Sequence, residues 1–176
     1  HKSMVKKIRE YGFKYLLRRP RGGSPPAGFS EEVARSVKRF HQQIPGHRPT
    51  DLVRWSRLAE AWGVKEIFVK DESTRFNLKA FKVLGGSYAV AQVIGRKLGM
   101  SPDGVDFTAL TGDKARQRIG QITLTTATDG NHGRGVAWAA EQLGQRAVIY
   151  MPKGAALPRV ENIRSHGATV IVTDLN

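Results

Sequence analysis

Asp129, Asn131 and His132 fall within the six residues TDGNHG (128–133), which join a β-branched run to an alanine-rich helical pattern. A turn of this kind delivers backbone N–H groups to the positive end of a helix dipole, where anions are favoured. Acid–base and hydrogen-bonding side chains are thereby gathered beside a ligand cradle. Other readings stand next to this one. Asp-Gly is a hairpin signal, although a helix pattern follows where a hairpin needs a second strand. Asn131 also suits an αL or capping role, His132 an exposed surface position, and Gly133 and Gly135 close helix–sheet packing. The glycines lack the spacing of a Walker loop or a complete dinucleotide fingerprint.

A second group reads Lys70-Asp71-Glu72-Ser73, then Ala80-Phe81-Lys82, then Gly85-Gly86. Lys82 is expected just inside a helix N-terminus, where the dipole favours the neutral amine that Schiff-base chemistry needs. Phe81 would shield it. Lys79 is a lysine of equal type three residues away, and the residues by themselves do not choose between the two.

These residues need elements to hold them. The pattern predicts helices over 30–41, with Ser30 as N-cap, and over 52–62, ended by Gly63. A short strand is expected at 66–70, a polar loop after it, and a helix over 80–98. Residues 100–120 read as irregular or weakly helical. From Ile122 onward strands at 122–127, 147–151 and 169–173 alternate with helices at 133–143 and 157–166, which implies βαβ units and a parallel sheet. The expected class is α/β, a three-layer parallel sheet with flanking helices. Because the chain stops at Asn176 directly after a strand, a sheet that continues beyond it is expected.

Composition narrows the function. The 176 residues are 40% hydrophobic and contain no cysteine, which excludes disulfides, thiolate metal sites and cysteine nucleophiles. No metal-ligand set is assigned. No apolar run approaches the roughly 18–20 residues of a membrane span, and no secretory signal is present, so a cytoplasmic location is expected. The net charge is +14, half of it in residues 1–21, where eight Lys and Arg face Glu10 alone. Such an arm could touch nucleic acid or an anionic surface, but no recognition module accompanies it. A solvated extension, joined by the Gly/Pro-rich linker 20–28, is the simpler reading.

In combination the two groups resemble one family. A strand ending KDE, then AFK, then GG, then TDGNHGRGVAWAA is similar to the pyridoxal-phosphate enzymes of the tryptophan-synthase-β fold (fold type II). Within it the match is to the diaminopropionate ammonia-lyase family, and RFHQQIPGHRPT (39–50), VIYMPKG (148–154) and ATVIVTD (168–174) agree. The resemblance runs from about Phe29 to the last residue. It implies that Lys82 forms the Schiff base with pyridoxal 5'-phosphate, that Phe81 lies beside it, and that Asn131 hydrogen-bonds the phenolic oxygen. Thr128, Asp129 and His132 would face the substrate.

Family members acting on serine or threonine usually carry a serine at position 129. An aspartate there suits a cationic amino group or abstraction of the Cα proton, and in the lyases it serves one enantiomer while the lysine serves the other. The implied reaction is β-elimination of 2,3-diaminopropionate to pyruvate and two ammonia. The alternatives are a serine/threonine dehydratase-like lyase, or a non-catalytic fragment. The same resemblance implies a homodimer. It also divides the chain into arm and linker (1–28), the first part of a large cofactor-binding domain (29–95) and part of a smaller βαβαβ domain (96–176). The phosphate-binding loop, the partner of the pyridine nitrogen and a second carboxylate would lie beyond Asn176. Asp51 replaces a usual proline, with a local effect expected. Leu78-Lys79 replaces small or polar residues ahead of AFK.

Overall fold

A computed structural model describes residues 28–174 and the backbone pairing of two short segments ahead of them. Those segments, β1 (Val5–Lys7) and β2 (Lys14–Leu16), pair antiparallel within a unit spanning His1–Glu31. The rest of the basic arm, and the linker as far as residue 27, lie outside the described residues. A second unit, Glu32–Asn176, carries the remaining elements.

Helix α1 (Glu31–Gln42) forms within a residue of its expected bounds and buries Ser36, Phe40 and His41. The helix expected over 52–62 is corrected. Leu52, Val53 and Arg54 form strand β3 (Leu52–Arg54), and only Ser56–Ala61 is helical, as α2. The cause is β4 (Phe68–Lys70), which pairs antiparallel with β3 and sets Leu52 against Lys70 and Arg54 against Phe68. Trp55 N–H extends the pairing by donating to the Ile67 carbonyl at 2.9 Å. A partner strand close in space satisfies the backbone of this segment better than a frayed first helical turn would. The carbonyl of Asp51, at the expected proline position, accepts from Asp71 N–H at 2.9 Å.

The helix expected over 80–98 is α3 (Lys82–Lys97), and it begins at the lysine itself. The stretch 100–120 resolves into α4 (Phe107–Thr111), whose Asp106 cap accepts from Ala109 N–H at 2.8 Å, and α5 (Asp113–Ile119). Then follow β5 (Thr123–Ala127), α6 (Asn131–Gln142), β6 (Arg146–Pro152), α7 (Leu157–Arg164) and β7 (Thr169–Thr173). The strands are parallel in the order β5-β6-β7. The α/β class with a parallel sheet is therefore what the chain adopts.

Strand β6 alternates, with Ala147, Ile149 and Met151 buried and Tyr150 exposed on the other face. Helices α6 and α7 cover the buried face, and α3 packs over α6 as a further layer. Among the described residues no helix is long and apolar enough to cross a membrane.

Candidate functional site

Helices α3 and α6 meet almost backbone to backbone. A Cβ on Gly135 would lie 3.0 Å from Val83 Cα, 3.1 Å from Val83 N and 3.2 Å from Lys82 C. One on Gly86 would lie 3.3 Å from Gly135 C. Only glycine permits this approach. It fixes the N-terminal turn of α3 against α6 one turn, about 6 Å, past Asn131. The groups that the sequence leaves 49 residues apart, Lys82 and Asn131, are thus registered on neighbouring helix starts.

Lys82 is exposed, and its Nζ lies 5.2 Å from the centroid of the Phe81 ring, itself 59% exposed. Among the described residues no hydrogen bond or ion pair engages that nitrogen. The loop leading into it is strained: Phe76, Asn77 and Lys79 adopt φ of 45°, 58° and 54°. Each such conformation costs a side-chain-bearing residue about 1–3 kcal/mol and persists only where the surroundings enforce it. Lys79 lies inside this left-handed loop, whereas Lys82 is the first residue of α3.

The turn 128–132 is organised by Thr128. Its Oγ1 accepts from Gly130 N–H at 3.1 Å and from Gly133 N–H at 3.2 Å, which replaces a side-chain cap on α6. Gly133 is needed here, because a Cβ would stand 2.3 Å from Thr128 Cγ2 and 2.8 Å from Ile149 Cγ2. Gly133 therefore serves helix–sheet packing, whereas Gly135 serves the helix–helix crossing. Asn131 and His132 are the first two residues of α6 rather than part of the loop ahead of it, and both are exposed. Among the described residues their side chains and amides make no hydrogen bond.

Two arginines escaped the sequence reading. Arg159, on the first turn of α7, donates to the Asp129 carbonyl at 3.2 Å and stands 3.6 Å from its carboxylate. Its Cδ also lies 3.2 Å from where a Gly130 Cβ would be. Arg134, on α6, donates to the Leu78 carbonyl at 3.1 Å. No local pattern marks either, since their partners lie 30 and 56 residues away.

The loop 71–79, expected to be polar, holds a partly buried ion pair. Arg75 is 6% exposed. It donates to both Glu72 carboxylate oxygens, at 2.8 and 3.0 Å, to Thr50 Oγ1 at 3.1 Å and to the Arg48 carbonyl at 2.9 Å. Thr50 donates to Glu72 at 2.5 Å, and Lys70 donates to the Thr50 carbonyl. The hydrogen bonds from Arg75 hold the Glu72 carboxyl at a pKa of about 2, below its usual 4.5. His41, buried and donating to the Leu84 carbonyl at 2.8 Å, is shifted below 6.5 by that burial.

The sign for Glu72 follows from linkage. Its folded pKa lies below the unfolded one, so its stabilisation is complete above about pH 4.5 and drains away as pH falls towards 2. The amount is about 3 kcal/mol at most. His41 adds a loss of stability as pH falls below 6.5. Urea midpoints measured down this range are expected to fall in two stages, and Glu72→Gln is expected to flatten the lower one.

A parallel sheet, a helix that starts on an uncommitted lysine and a glycine-lined crossing to an Asp-Gly-Asn turn together define a class. The pyridoxal-phosphate dependent enzyme family matches residues 44–176, and the chain belongs to it. More particularly, it is similar to diaminopropionate ammonia-lyase of Escherichia coli, 53% identical over 149 residues that are 84% of this chain and 36% of that one. It is also similar to the Salmonella typhimurium diaminopropionate ammonia-lyase, 45% identical over 167 residues, 95% of this chain and 41% of the relative. The crystal structure of the Escherichia coli lyase in apo form superposes with a TM-score of 0.78 at 52% identity, covering 88% of this chain and 41% of that one. The chain thus spans about two fifths of the length of the curated relatives it matches.

The donor set fits the family's cofactor. An exposed primary amine that, among the described residues, makes no hydrogen bond or ion pair and an exposed carboxamide stand at the starts of two helices whose crossing is fixed by glycine.

Proposed function

We propose that this chain supplies the Schiff-base lysine and the substrate-facing turn of an enzyme that eliminates ammonia from 2,3-diaminopropionate. The observation that carries the reading is the exposed Asp129 carboxylate, on the turn that opens α6 and precedes Asn131. The similarity to two diaminopropionate ammonia-lyases supports it. In this reading Lys82 Nζ holds pyridoxal phosphate, Phe81 lies beside it, and Asn131 hydrogen-bonds the phenolic oxygen. The cofactor, when bound, supplies the electron sink at the substrate Cα.

The chain's own groups handle the protons. Lys82, as a free amine, accepts the Cα proton of one enantiomer, and Asp129 accepts that of the other. The proton becomes available to the β-amino group, which leaves as ammonia, and one water completes the conversion to pyruvate and a second ammonia. Asp129 also attracts the substrate's second ammonium, which a serine at this position would not. Arg159 holds the Asp129 backbone through its carbonyl. Thr128 shapes the turn through its hydroxyl, and His132 lines it.

The same reading divides the site between residues 29–95, in a large cofactor-binding domain, and 96–176, in a smaller one. By likeness to the family it takes the enzyme to be a cytoplasmic homodimer.

Pyruvate release by the holoenzyme from 2,3-diaminopropionate and from serine tests the substrate. Diaminopropionate is expected to be preferred, and Asp129→Ser is expected to lower its kcat/KM by about 10²–10⁴-fold while changing serine turnover less. Preference for serine by the unaltered enzyme contradicts the reading.

A further inference from the structure

The lysine loop is anchored at Arg75 by Glu72, Thr50 and the Arg48 carbonyl, and nearer Lys82 it is held by α6. Phe76, Asn77 and Lys79 are left-handed, and between them sits Leu78, 4% exposed. Bulky side chains rarely adopt this backbone unaided. Two residues of α6 contact it: Arg134 donates to the Leu78 carbonyl, and the Trp138 ring lies 5.0 Å from that of Phe76. They are four residues apart and so share a face of α6. That helix also begins with Asn131 and touches the Lys82–Val83 backbone through Gly135. Among the described residues the Arg134 Nε is buried and makes no hydrogen bond.

We propose that Arg134 is the positioning residue for Lys82. Through the Leu78 carbonyl it locks the left-handed loop, so that the lysine amine and the 128–132 turn keep one relative placement, both being referred to α6. The inference rests on the reading of Lys82 as the Schiff-base lysine and deepens it.

The test uses Arg134→Met, which keeps the aliphatic stem, and Arg134→Lys, which restores one donor to Leu78. In the holoenzyme Arg134→Met is expected to lower kcat by about 10- to 100-fold with little change in KM. It is also expected to shift the pH midpoint of the cofactor's visible band in the absence of substrate. Arg134→Lys is expected to recover much of both effects. If Arg134→Met does not fold, Arg134→Lys carries the test, with an intermediate band midpoint and an intermediate kcat expected. Band midpoint and kcat unchanged in folded Arg134→Met overturn the proposal, as does a kcat loss that lysine fails to recover. A band not carried by Lys82 in the unaltered enzyme overturns it together with the Schiff-base assignment. A band on Lys82 combined with a preference for serine overturns the substrate reading alone.

Discussion

Lys82→Ala is expected to remove the cofactor's visible absorbance and to lower turnover by at least about 10³-fold, because nucleophile and proton carrier are lost together. The fold should barely notice. The side chain is exposed, and its one described contact is the Phe81 ring, so the stability change should stay within about 0.5 kcal/mol. Separation of activity from stability is what distinguishes a site lysine from a structural one. Lys79→Gln supplies the comparison: this lysine lies three residues earlier, in the loop leading into α3, and the band is expected to survive its replacement.

The second large effect is one of packing. Gly135→Ala is expected to destabilise the chain by about 1–3 kcal/mol, read as a lowered Tm, and to weaken activity by moving Lys82. Helix propensity alone predicts the opposite, a gain of about 0.5–1 kcal/mol for alanine inside a helix. Packing should win because the new methyl meets Val83 Cα, Val83 N and Lys82 C at 3.0–3.2 Å, all of them backbone of another helix. A flexible side chain could move aside, whereas α3 must move as a whole. Gly85→Ala is the matched control. It lies on α3 with nothing within 4 Å of its Cβ, so it should show the propensity gain with no packing cost. Equal behaviour of the two variants would refute the crossing.

What could be read from the sequence was whatever local pattern determines. The β-branched run before Thr128 marks β5, the alternation after it marks the parallel sheet, and β7 falls at 169–173 as expected. The lysine at a helix start and the turn at 128–133 were visible for the same reason. Leu52–Arg54 was misread because its partner, Phe68–Lys70, lies beyond any local window. Arg75 looked like part of a polar loop because only the fold brings Thr50 and the Arg48 carbonyl to it. Arg134 and Arg159 were missed likewise: each acts on a backbone carbonyl distant in sequence, and a carbonyl has no residue type to recognise. The left-handed loop ahead of Lys82 contains no glycine, so its φ values are imposed by packing and leave no compositional trace.

The central claim is that Lys82, registered against the Asp129–Asn131 turn by the α3–α6 crossing, bonds the cofactor. Borohydride reduction of the holoenzyme followed by peptide mass mapping tests it most directly. The account predicts a stable cofactor adduct on the peptide containing Lys82, absent from Lys82→Ala and retained in Lys79→Gln. An adduct on Lys79 or on another lysine, with Lys82 unmodified, would contradict it.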